Sequence, residues 1–168
     1  MSIKENGFLT IGELEGAGQY PSKERLAKGP MAVVECIQEI PCNPCEEACK
    51  FKAIEVGQPI TNLPKIHEDK CMGCGVCVAQ CPGLAIFIVD KSYSKDYGTV
   101  AFPYEYYPLP ETDEEAEAVD RRGQVLCSGK VVKVQNPKSF DRTPVITLEV
   151  PIEYAERIRG MKRKGVSL

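Results

Sequence analysis

Eight of the nine cysteines in this 168-residue chain crowd between positions 36 and 81, as Cys36, Cys42, Cys45, Cys49, Cys71, Cys74, Cys77 and Cys81; Cys127 stands apart. From Cys42 to Cys49 and from Cys71 to Cys81 the thiols are spaced by two or three intervening residues. The first 20 residues include Lys4, Glu5, Glu13 and Glu15 with no apolar run between them, so no secretory leader is expected and the cytoplasm is the predicted location. In a reducing compartment structural disulfides are rare, and dense cysteine spacing points to metal instead.

The stretch Cys71-Met-Gly-Cys74-Gly-Val-Cys77-Val-Ala-Gln-Cys81-Pro82 has the C-x2-C-x2-C-x3-C-P spacing with which bacterial chains hold a [4Fe–4S] cube. A short loop with a thiolate at every third residue reaches three corners. The longer last step opens a helix and carries Cys81 away, so each run's fourth cysteine is expected to serve the other copy's cluster. Gly73 and Gly75 let the backbone curl around sulfur, and Val76, Val78, Leu84, Ile86 and Ile88 are expected to wall off water. Zinc is the rival occupant, but its sites favour paired C-x2-C motifs across a longer spacer.

Laying residues 42–54 over 74–86 exposes an internal repeat with an offset of 32: Cys42, Cys45, Cys49, Ala53 and Ile54 fall on Cys74, Cys77, Cys81, Ala85 and Ile86. Each half reads strand, cysteine loop, short helix, strand. The predicted strands are Met31–Gln38, Ala53–Val56, Lys65–His67 and Ala85–Val89, and two copies of one unit imply pseudo-twofold symmetry. The first half departs from the pattern. Glu39 occupies the slot of Cys71, with Cys36 three residues earlier; Lys50 replaces Pro82, and Pro41 and Pro44 replace Gly73 and Val76. Three readings stay open for it: a second [4Fe–4S] cluster on Cys36, Cys42, Cys45 and Cys81; a cluster with Glu39 as an oxygen ligand in place of Cys36, or with three irons; or no cluster, the cysteines packing as small hydrophobes. The two prolines remove N–H donors to sulfur, so a first-half cluster is expected to be harder to reduce than the second-half one.

The remaining chain reads as flanking structure. Residues 1–30 form an N-terminal extension with a short helix, Pro21–Lys28, capped by Ser22 and stopped by Gly29. Residues 31–90 hold the repeat, and residues 91–168 form a small β-rich unit. Within this unit a tyrosine- and proline-rich linker leads to an acidic solvated run at 111–120. Strand-like segments QVLCSG, KVVKVQ and PVITLEV follow, broken at Ser128-Gly129 and Asn136-Pro137. A terminal helix is expected from Ile152 to Lys164. Cys127 reads as a core residue and His67, the sole histidine, as structural or solvent-facing. A net charge of −3 disfavours nucleic acid as a partner, no stretch is apolar enough for a membrane span, and no nucleotide-binding or nucleophile motif is present.

Over residues 31–90 the chain resembles a bacterial-type dicluster ferredoxin. The resemblance implies an α+β class: a pseudo-twofold βαβ-repeat domain, here followed by a small β-sheet or partial-barrel domain with a C-terminal helix. A narrower resemblance rests on ECIQEIPCNPCEEAC at 35–49, the cysteine run, and VVKVQNPKSFDRTPVITLEVP at 131–151. In these the chain is similar to the iron–sulfur subunit of flavin-dependent amino acid or amine dehydrogenases, of the hydroxyproline or proline dehydrogenase and opine oxidase kind. It implies a non-catalytic electron-transfer subunit with two [4Fe–4S] clusters, relaying electrons between an FAD- or FMN-containing partner and another acceptor. The rival functions are a free ferredoxin-type carrier and a zinc-stabilised interaction module.

Overall fold

The computed structural model describes residues 3–163. Three short helices come first: α1 (Ile3–Asn6), α2 (Ile11–Gly16) and α3 (Lys23–Leu26). Thr10 and Glu13 close a reciprocal capping box on α2, satisfying two orphan N–H groups at its start. Ser22 caps α3 as expected, accepting from Arg25 N–H at 3.2 Å, but the helix is a single turn whose C-cap is Ala27, not Gly29.

The cysteine-bearing halves follow as β1 (Met31–Val34), α4 (Pro44–Ala48), β2 (Ile54–Glu55) and then β3 (Lys65–Ile66), α5 (Val76–Gln80), β4 (Ile86–Asp90). Each strand is shorter than, or shifted from, its predicted span. β1 pairs antiparallel with β4, Met31 opposite Val89 and Val34 opposite Ile86, while β2 pairs with β3. Thus the first strand of one half meets the last strand of the other, and the inner strands pair with each other.

β4 continues into β5 (Tyr97–Pro103), and beyond it come β6 (Glu115–Val119), β7 (Val125–Gln135), β8 (Val145–Pro151) and β9 (Gly160–Met161). These join one antiparallel seven-stranded sheet in the order β1-β4-β5-β8-β7-β6-β9. The fold is therefore mixed α and β, built on a large antiparallel sheet. The sequence boundary at residue 90 falls between β4 and β5, which pair through Ile88 and Ala101. The core lies along this sheet, where Val100, Phe102, Ile146, Leu148 and Val150 are buried.

Several sequence expectations are corrected here. The stretch read as a linker contains a central strand: every residue of β5 has a partner on β8, from Tyr97 opposite Pro151 to Pro103 opposite Val145. QVLCSG and KVVKVQ are not two strands split at Ser128-Gly129 but one, β7. Gly129 is small for a packing reason: a Cβ there would lie 3.0 Å from Val150 Cγ1 and 3.1 Å from Glu149 O. The acidic run is partly a strand, β6, with Glu115 and Glu117 exposed and Ala118 buried between sheet neighbours. No terminal helix forms over the described part of 152–164; Lys164 lies outside the described residues. Residues 152–157 make turns, and then Arg159 and Lys162 donate their N–H groups to Val119 and Glu117, so strand pairing with β6 takes the backbone bonds a helix would have used.

The β1–β4 ribbon has two faces, because alternate residues point opposite ways. Ala32, Val34, Ile86 and Ile88 face the cysteines. On the other face lies a buried charge triad. Glu35 accepts from Arg159 Nε at 2.6 Å and from Arg121 Nε at 2.7 Å, with a further close contact to Arg121 Nη2. The Arg159 guanidinium also sits 5.0 Å over the Phe87 ring. Its Nη2 has no hydrogen-bond partner, and burial lowers its pKa against the opposing pull of Glu35.

Candidate metal centre

The two helices and the loops before them place the cysteines. Asn43 and Gly75 precede α4 and α5 at equivalent positions, and the C-cap residues are Cys49 and Cys81. Gly75 takes φ +83° and Gly73 φ +61°, left-handed values that glycine adopts without strain. Gly73 is further constrained, since a Cβ would meet Pro30 Cβ at 2.5 Å; the cysteine loop lies directly on the residue before β1.

The eight clustered cysteines divide into two quartets, each lining its own cavity. Cys71, Cys74 and Cys77 share one with Cys49 from the other half, against Ala32, Val76 and Ile88. Cys36, Cys42 and Cys45 share the second with Cys81, against Val34 and Ile86. Of the expected wall residues, Val78 is fully buried but Leu84 is exposed. Cys127, read as a core residue, is only half-buried on β7. Glu39 is exposed and is not among the residues lining the Cys36 cavity. His67 is half-buried and pairs with Glu55 at 2.8 Å.

Backbone N–H groups point at several sulfurs. Ala53 N–H lies 3.2 Å from Cys49 Sγ and Ala85 N–H 3.4 Å from Cys81 Sγ, bonds that repeat at the sequence offset. Ala32 N–H lies 3.5 Å from Cys71 Sγ. Such donors favour the thiolate form that a metal requires. Burial and neighbouring sulfurs act the other way. Cys77 is pushed strongly up by burial, then by Cys71, Cys74 and Cys49. Cys45 is pushed up to about 11 by burial and by Cys81, opposed by the Glu46 N–H. Cys36 is raised chiefly by burial and lowered by the Gln38 N–H. Thiols packed this closely need a cation to ionise together, and its binding displaces their protons.

Among the described residues no three Cys, His, Asp or Glu side chains converge tightly enough for a single metal ion. A tetrahedral zinc would draw four sulfurs to about 3.8 Å of one another, given its bond length to sulfur. A cube carries metal at several corners, so its donors belong around the wall of a cavity, and four sulfurs per cavity fit that requirement.

Sequence reasoning missed two elements beside these cavities. Arg25 donates to the carbonyls of Glu68, Gly29, Pro30 and Cys71, and no spacing signal marks it. Phe51 and Met72 line the mouth of the Cys71 cavity and are 48% and 61% exposed, in contrast to the apolar residues of the wall.

Comparisons with known proteins find ferredoxins among the similar chains. The chain is 44% identical over 50 residues to an uncharacterized ferredoxin of Methanocaldococcus jannaschii, covering 30% of this chain and 28% of that protein. It is 33% identical over 110 residues to ABC transporter E family member 1 of Arabidopsis thaliana, covering 55% of this chain and 16% of that one. It is 39% identical over 54 residues to the polyferredoxin-like subunit of an aliphatic sulfonate oxidoreductase of Pyrococcus furiosus, covering 32% and 28%. The matched segment thus spans less than a third of each of these relatives. No solved structure matches. Residues 64–87 match the family model of the 4Fe-4S binding domain, so the chain contains a ferredoxin-type segment whose cysteines indicate a [4Fe–4S] cluster.

Proposed function

We propose that this chain is the electron-transfer iron–sulfur subunit of a flavin-dependent dehydrogenase complex and holds two [4Fe–4S] clusters. One is held by Cys49, Cys71, Cys74 and Cys77, the other by Cys36, Cys42, Cys45 and Cys81. The observation that carries this reading is the division of eight cysteines into two cavity-lining quartets, each taking its fourth member from the opposite half. The pairing of β1 with β4 and of β2 with β3 supports the pseudo-twofold ferredoxin-like arrangement, with residues 1–30 as an extension and 91–168 as an added β-rich unit.

When bound, such clusters take up and release single electrons. The chain's own residues do the rest. The cysteines fix the donor positions, the Ala53 and Ala85 N–H groups offset charge on the two exchanged sulfurs, and Val34, Ile86, Ile88 and Ala32 exclude water. Cys74 is exposed beside Phe51 and Met72, which brings this cavity to the surface. Assembly into a hetero-oligomer is supported by the relative that is a polyferredoxin-like subunit of an oxidoreductase; the flavin on the partner is what the sequence resemblance implies. Among the described residues no helix is long and apolar enough to cross a membrane, and the cytoplasm suits a chain with free thiols.

Anaerobic purification from the native host, with iron and sulfide analysis, tests the reading. The expected result is about eight irons per chain, four for each cube, together with a co-purifying flavoprotein. Zinc in place of iron, or a lone monomer, would overturn it.

A further inference from the structure

Arg25 lies outside both cysteine runs, yet its guanidinium reaches four backbone carbonyls around one of them. Nε donates to Glu68 O at 2.8 Å, Nη1 to Gly29 O at 3.1 Å, and Nη2 to Pro30 O at 3.2 Å and Cys71 O at 2.7 Å. Two segments are thereby tied together: the one entering β1 and the one entering the cysteine loop. The same two segments meet again where Gly73 lies on Pro30 and where Ala32 N–H meets Cys71 Sγ. The Glu68 carboxylate accepts from Ser22 N and Oγ, both at 2.7 Å, so the helix that carries Arg25 is itself anchored to the loop. Beside the other quartet the two nearby guanidiniums, Arg121 and Arg159, are held by the Glu35 carboxylate rather than by the carbonyls of a cysteine loop.

We infer that Arg25 is a positioning residue for Cys71 and that its charge raises the reduction potential of the second-half cluster. The inference rests on the iron–sulfur reading above. A fixed positive charge one carbonyl from a ligand stabilises the more negative, reduced state, and partners that orient a metal ligand govern how firmly the metal is kept. The planar fork matters because it can address several carbonyls at once, which a lysine ammonium does only in part.

The test uses the full chain, purified anaerobically, as wild type, Arg25→Gln and Arg25→Lys, with EPR-monitored redox titration and loss of visible absorbance in excess EDTA. Cys74→Ser identifies which signal belongs to the second-half cluster. Arg25→Gln is expected to lower that midpoint alone. Arg25→Lys, which keeps the charge, is expected to retain a midpoint nearer wild type, while both variants shed iron roughly tenfold faster. Midpoints unchanged in Arg25→Gln, or both moved equally, would overturn the assignment of potential. Should Arg25→Gln yield no folded holoprotein, Arg25→Lys decides alone: iron loss at the wild-type rate would refute the positioning role. Wild-type protein without iron and sulfide would instead remove the cluster reading itself.

Discussion

Replacing Glu35 by glutamine should be among the costliest single changes to this molecule. The Glu35 side chain is 11% exposed, Arg121 is 10% and Arg159 is 3%, so the triad lies in a region of weak solvent screening. Removing one partner of a buried ion pair strands the other charge and costs about 3–5 kcal/mol. Here two guanidiniums lose one shared carboxylate, and Arg159 already has an unpartnered Nη2. Glutamine keeps the shape and a single acceptor, so the loss reports charge rather than volume. With a urea m-value of about 2 kcal/mol per molar, the unfolding midpoint of the anaerobic protein, followed by far-UV circular dichroism, should fall by about 2 M. Lys130→Met, which removes an exposed partner of Asp113, serves as the control and should leave the midpoint where it is. A midpoint shift in Glu35→Gln no larger than that of the control would refute the claim that the triad's shared carboxylate stabilises the fold.

Gly73→Ala should destabilise by about 2–5 kcal/mol, combining left-handed strain with overpacking against Pro30. Gly75→Ala, whose Cβ would meet only Ile88 Cγ1 at 4.0 Å, should cost about 1–2 kcal/mol for strain alone; equal midpoints in urea would contradict the difference. Tyr20 is held up to about 12 from 10.0, mainly by burial and against the pull of Arg159. A raised acid pKa in the folded state contributes stability that is complete below pH 10 and lost as pH rises towards 12. Tyr20→Phe should therefore show a shallower loss of stability across that window, worth about 2–3 kcal/mol, and parallel pH profiles would exclude the effect. Cys49→Ser should disturb the EPR signal of the cluster on Cys71, Cys74 and Cys77 while sparing the other; loss of the opposite signal would break the exchange between halves.

The cysteine segment that matches the 4Fe-4S binding domain was legible in the sequence because spacing along a short loop and helix is a local constraint. Three thiols at intervals of three, with a fourth carried off by a helical turn, leave few arrangements. The repeat offset exposed the same logic in the first half despite Pro41, Pro44 and Lys50. What was not legible depended on distant partners. β5 hides among prolines and tyrosines and is fixed as a strand by β8, some fifty residues on. The sequence after Pro151 carries helix-like spacing of Ala155, Ile158 and Met161, but these residues are buried in turns and a short strand, held by β6. Arg25 and the Glu35 triad had no signal, because a cation that bonds carbonyls or a remote carboxylate looks the same in sequence as one in water.

β1 is the outermost strand of the seven-stranded sheet, and such a strand ordinarily leaves a row of unused amides that invites another chain. Glu35 N–H turns inward to Ala85 O, so by alternation Ala32 N–H points outward, and it ends on a cysteine sulfur. The segment that carries Cys71 thus covers part of the sheet's margin. Filling that amide with a thiol leaves one fewer open donor for another chain to pair with along this margin.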